Sequence, residues 1–107
     1  MTKIIWESRN NMYKVLFVDD EALIREAITE NIPWKTLGYQ LTGACRNGKE
    51  ALDRIRQDPP DLLLTDINMP YMDGIQLAKL VYEEYKDTKV VILSGYDDFE
   101  YAKQAVK

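Results

Sequence analysis

Histidine is absent from all 107 residues. That removes the Ser-His-Asp triad, the Cys-His pair and any zinc site built on imidazole. A metal bound here would be held mostly by oxygen, which makes a hard cation such as Mg2+ the natural candidate. Cysteine occurs once, as Cys45. No internal disulfide is available, which fits a reducing compartment, and the residue reads as a small buried apolar side chain. No run approaches the ~20 apolar residues that span a bilayer. The mixed stretch from Lys3 to Asn11 lacks the apolar core of a signal peptide. The expected location is therefore cytoplasmic, with no membrane partner. Repeats, low-complexity segments and a glycine-rich phosphate loop are also missing. An excess of positive charge is missing too: 14 basic against 18 acidic side chains give a net charge of −4. That argues against direct nucleic-acid contact, which clustered Lys and Arg support.

Short apolar runs alternate with amphipathic stretches from Tyr13 onward. Lys14 to Val18 (KVLFV) reads as a buried strand running into Asp19-Asp20. Glu21 to Ile32 follows as a helix, with Ile24, Ala27, Ile28 and Ile32 at helical spacing. Pro33 closes it and Gly38 marks a turn. Tyr39 to Cys45 is a second strand. Asn47 and Glu50 have the spacing of a capping box, ahead of the apolar face Ala51, Leu52 and Ile55. Pro59-Pro60 ends that helix. Asp61 to Thr65 (DLLLT) is a third strand, running into Asp66. Asp73 and Gln76 form a further capping box, and Leu77, Ala78, Val81, Tyr82 and Tyr85 mark one helix face. Lys89 to Leu93 is a fourth strand ending at Ser94-Gly95, and Asp97 with Glu100 caps a last helix.

Continuous apolar strands alternating with helices predict a parallel sheet covered on both faces, an α/β doubly wound fold. Such sheets bind ligands beyond the carboxyl ends of their strands. Asp19 and Asp20, Asp66, and Ser94 each follow or close a strand. Parallel strands bring those ends to one edge, where three carboxylates would repel one another unless a cation lay between them. A carboxylate is a competent nucleophile toward phosphorus, and phosphoryl transfer needs in-line positioning and charge neutralisation more than a strong base. Ser94 could donate a hydrogen bond to a phosphoryl oxygen, and Asn68 could offer its backbone carbonyl to a metal.

The chain resembles the response regulator receiver family of two-component systems from Met12 to Lys107. The residues that carry the likeness are VDDE at 18–21, TDINMPYMDG at 65–74 and LSGYDDFEYAKQAV at 93–106. The middle motif is the most specific. The resemblance implies a flavodoxin-like, CheY-like sheet in the order 2-1-3-4. It implies Asp66 as phosphoacceptor, taking a phosphoryl group from a sensor histidine kinase. Asp20 would be the main carboxylate ligand of Mg2+ (or Mn2+) together with Asp66 and the backbone oxygen of Asn68, and Asp19 would support the acidic pocket. Ser94 matches the switch hydroxyl, and Tyr96 is a candidate for the pocket rim. Such a domain relays a signal to an output domain and is not a turnover enzyme. The YDDFEYA run and Pro33-Trp34 are similar to receivers that precede AraC-type DNA-binding domains, so the expected output is transcriptional.

The departures define the alternative. The family's fifth strand, with its terminal Lys-Pro, and its fifth helix are not found by Lys107. Lys89 stands at the wrong end of its strand, and Lys103 and Lys107 fall on the last helix. The runner-up is therefore a truncated receiver-fold interaction module without phosphoryl switching. A homodimer through the exposed edge of the fourth strand or an uncovered apolar face fits either reading. Residues 1–11 read as an N-terminal extension outside the receiver domain of 12–107, in which Ile4-Ile5-Trp6 could pair with an open edge. A haloacid dehalogenase-like phosphatase, which wants a second Asp where Asn68 stands, is disfavoured.

Overall fold

In the computed structural model, residues 12–93 are described, and they build a four-stranded parallel sheet with three helices. The strands are β1 (Tyr13–Val18), β2 (Tyr39–Cys45), β3 (Leu62–Asp66) and β4 (Lys89–Leu93). The helices are α1 (Ala22–Asn31), α2 (Gly48–Gln57) and α3 (Gly74–Glu84). The sheet order is β2-β1-β3-β4, the order the family resemblance implies, and every pairing is parallel. The fourth helix expected around Asp97 and Glu100, the segment Ile4-Ile5-Trp6, Ser94 and Tyr96 lie outside the described residues.

Side chains alternate across the strands, so each face has its own cover. Leu16, Val18 and Leu63 point to the face carried by α2 and α3. They meet Ala51, Leu52 and Ile55 of α2 and Leu77 and Val81 of α3 in one buried cluster that includes Cys45. Each Leu, Ile or Val among them contributes about 1.5–3 kcal/mol when fully buried. Val15 and Phe17, on the opposite face, are buried as well. The helix on that side behaves differently. Ile24, Ala27, Ile28 and Ile32 have the expected helical spacing, yet no residue of α1 is fully buried: Leu23 and Ile24 are 78% and 41% exposed and Ile28 is half-buried. A polar anchor also holds α1. The Trp34 indole donates to the Ile28 carbonyl in the last turn (3.1 Å), satisfying a group that helix ends leave unpaired. Tyr82 is a second departure: 72% exposed, it lies off the buried stripe of α3.

The turn chemistry explains the boundaries. Ile32 takes the extended conformation imposed by Pro33, and Gly38 supplies the left-handed φ of +90° before β2. Asp73 and Gln76 form the expected capping box in full. At α2 only half of it forms. Asn47 accepts from the Glu50 amide, but the Glu50 carboxylate turns to the backbone N–H and guanidinium of Arg46, whose charge outbids a neutral amide. The β1–β2 register slips between Val15 and Leu16, leaving Thr42 as the extra residue of a bulge. Its hydroxyl donates to the Val15 carbonyl and its own carbonyl accepts from the Arg54 guanidinium. At the amino ends of the strands, Asp61 ties three together. Its carboxylate accepts the Lys14 amide (2.7 Å), its N–H donates to the Lys14 carbonyl, and its carbonyl accepts from Lys89.

Candidate functional site

β1 and β3 are neighbours and parallel, so Asp19 and Asp20 after β1 come out beside Asp66, the last residue of β3. One carboxylate oxygen from each of the three lies within 4.8 Å of the others. Their environments differ. Asp19 is 8% exposed, Asp66 is half-buried and Asp20 is exposed. Asp19 is fastened on three sides. Its N–H donates to the Cys45 carbonyl (3.0 Å), its Oδ1 accepts from the Glu21 N–H (2.9 Å), and its carbonyl accepts from Arg25 Nη1 (2.9 Å). The expected helix start at Glu21 is thus organised from the acid before it, while Glu21 itself makes no side-chain cap.

β3 delivers Asp66 through a buried Thr65, whose hydroxyl donates to the Asp66 carbonyl (3.0 Å). The loop after it folds back tightly: the Gly74 N–H donates to the Ile67 carbonyl at 2.8 Å. Ile67 and Met69 are buried and Asn68 is exposed, so the loop is anchored at alternate residues. Met72 packs against the core and meets Gly48 at the start of α2. Tyr71 is fully exposed and has a φ of +70°, uncommon for an aromatic residue. Sequence reasoning singled out Asp19, Asp20, Asp66 and Asn68, and the structure brings the three acids together. It missed Arg25. Nothing in the spacing of a single arginine on an amphipathic helix announces that its guanidinium folds back to a loop carbonyl.

The acids suit a hard cation. A magnesium ion holds oxygens at about 2.0–2.1 Å, so opposed ligands stand about 4 Å apart. Groups already within 4.8 Å need only small rotations or a bridging water to share it. The donor set is all oxygen, as that ion prefers. Two hollows among the described residues lie elsewhere. One of about 250 Å3 is lined by Tyr13, Tyr39, Asp61, Leu62, Asp87 and Lys89, around the amino ends of the strands. The other, about 530 Å3, lies beside Pro33, Trp34 and Tyr39. Neither adjoins the acids, which fits a site for an ion and a small anion at an open rim. No helix among the described residues is long and apolar enough to cross a membrane.

Comparison with known proteins adds the family. A family model described as response regulator receiver domain matches residues 15–107. The transcriptional regulatory protein YesN of Bacillus subtilis is 42% identical over 96 residues, which cover 90% of this chain and 26% of that protein. The transcriptional regulatory protein HptR of Staphylococcus aureus is 41% identical over 96 residues, 90% of this chain and 37% of that one. Among solved structures, a two-component transcriptional regulator AraC from Clostridium phytofermentans superposes with a TM-score of 0.82 at 41% identity, covering 89% of this chain and 74% of that one. The receiver domain of AraT from Geobacillus stearothermophilus gives 0.81 at 38% identity, with the same coverages. The chain spans roughly a quarter to two fifths of the curated relatives it matches.

Proposed function

The chain belongs to the response regulator receiver family, and from that premise we propose that Asp66 is its phosphoacceptor, served by a divalent cation among Asp19, Asp20 and Asp66. The observation that carries this reading is the convergence of the three carboxylates at the carboxyl ends of adjacent strands. A carboxylate oxygen of Asp66 attacks phosphorus in line. The phosphorus bond to the donor, a phosphohistidine of a sensor kinase, breaks and its electron pair leaves with the imidazole. Mg2+ or Mn2+, when bound, neutralises charge on the phosphoryl oxygens. Asp20 and Asp66 would hold it together with the backbone oxygen of Asn68. Asp19, pinned at both its carboxylate and its carbonyl, keeps the acidic loop in place. Ser94 would hydrogen-bond the transferred group, with Tyr96 at the rim.

A family receiver is a signalling module. We further propose that this one is cytoplasmic and relays the phosphoryl signal to a DNA-binding transcriptional output domain. Relatives such as YesN and HptR are named transcriptional regulatory proteins and extend well beyond the matched region. The net charge of −4 supports an output that contacts DNA in place of the receiver itself. Intact-mass analysis after incubation with acetyl phosphate tests the site. One phosphoryl group should be gained with Mg2+, none in EDTA, and none by Asp66→Asn. A protein that gains none under any condition would be an interaction module of receiver fold.

A further inference from the structure

The three acids are not equally held, and the difference falls on one peptide group. The Asp19 carbonyl belongs to the peptide whose N–H is that of Asp20, and planarity makes the two move as one. Arg25 Nη1 donates to that carbonyl at 2.9 Å from one turn inside α1, where the Arg25 N–H is itself bonded to the Glu21 carbonyl. Glu21 in turn donates its N–H to the Asp19 carboxylate at 2.9 Å. The chain from Asp19 to Arg25 therefore closes into a loop of bonds whose guanidinium sets the tilt of the Asp19–Asp20 peptide. The exposed Asp20 carboxylate follows directly from that peptide in the chain.

We propose that Arg25 is a positioning residue for the cation site, acting through the Asp19–Asp20 peptide to aim Asp20 at the ion shared with Asp66. The inference rests on the phosphoacceptor reading above and assigns it a residue outside the acid set. Groups that orient metal ligands without touching the metal set affinity strongly, so their loss weakens binding by about 10–100-fold. Two roles for a guanidinium predict opposite signs. As a mere positive charge near the ion it would repel Mg2+, and its removal would tighten binding. As a clamp on the peptide its removal weakens binding. The half-buried Arg25 is in reach of solvent, which screens the first effect and leaves the second.

The experiment is calorimetric titration of Mg2+ alone into the wild-type chain, Arg25→Met and Arg25→Lys, with thermal unfolding of each in EDTA. Arg25→Met should raise the Mg2+ dissociation constant about tenfold and keep the unfolding midpoint in EDTA. Arg25→Lys, which retains a donor but not the fork, should fall between the two. Equal or tighter Mg2+ binding by Arg25→Met overturns the proposal. Should Arg25→Met lower the midpoint, Arg25→Gln, too short to reach the carbonyl, carries the same expectation and the same refutation. If wild type takes up neither Mg2+ nor a phosphoryl group, the phosphoacceptor reading has failed. If wild type does both and the Arg25 variants match it, only the positioning role has failed.

Discussion

Gly74 stands so close to Asp66 that a β-carbon built on it would lie 1.9 Å from the Asp66 carbonyl oxygen. The neighbouring atoms offer no relief, since the Asp66 carbonyl carbon and the Ile67 Cα would be met at 2.8 and 3.0 Å. The glycine of the Asp-Gly pair is thus needed by the backbone of Asp66, the proposed phosphoacceptor.

Gly74→Ala should destabilise the fold by at least about 1–3 kcal/mol, the range for forcing extra volume into a packed site. It should also slow phosphoryl uptake, because the displaced backbone is that of Asp66. Gly38→Ala is the matched comparison. Its β-carbon would meet nothing within 4 Å, so only the φ of +90° opposes it, at roughly 1–2 kcal/mol. Urea unfolding with parallel intact-mass labelling separates the two. Gly38→Ala should label at the wild-type rate and Gly74→Ala should not.

Thr88 joins the end of α3 to the turn before β3. Its buried hydroxyl donates to the Pro60 carbonyl at 2.6 Å. Thr88→Val keeps the volume and strands that carbonyl, at about 1–3 kcal/mol. Urea titration reads this as a lower midpoint with an unchanged slope. A neutral result would mean that water reaches the Pro60 carbonyl.

Cys45 closes β2 beneath the acidic rim. Burial, reinforced by the charge of Glu50, pushes its thiol from 9.0 up to about 11 against the opposing pull of Arg54 and Arg25. The native thiol should resist alkylation near neutral pH and react only as pH nears 11 or on unfolding. The sign of the linkage follows. Between pH 9 and 11 the unfolded thiol loses its proton first, so this group's contribution to stability is whole below about pH 9 and is lost as pH rises through about 11. Alkylation rates against pH, with unfolding midpoints alongside, test both statements.

The strand bounds within a residue and the three acids were legible because they rest on local pattern, whereas the sheet order came only with the family resemblance. The apolar run Leu62 to Leu64, short and preceded by Pro59-Pro60, reads as a buried strand, and parallel pairing brings its end beside that of β1. The errors fall where two polar groups compete or where burial depends on distant chain. Glu50 had two reachable donors, its own cap and Arg46, and the charged one won. The periodicity of α1 foretold a helix but not the exposure of Leu23 and Ile24, because periodicity marks an apolar face and not what packs on it. Arg25 and the approach of Gly74 to Asp66 are long-distance facts of packing, and residue type alone carries no trace of them.

The central claim is that Asp20 and Asp66, with Asp19 supporting the acidic pocket, hold one cation, and paramagnetic broadening by Mn2+ tests it most directly. A substoichiometric addition should broaden the amide resonances of residues 19–21 and 66–68 together, and Asp66→Asn should abolish the effect. Broadening centred on Asp58, Asp61 and Asp87 at the opposite end of the strands, or broadening that survives Asp66→Asn, would contradict the account.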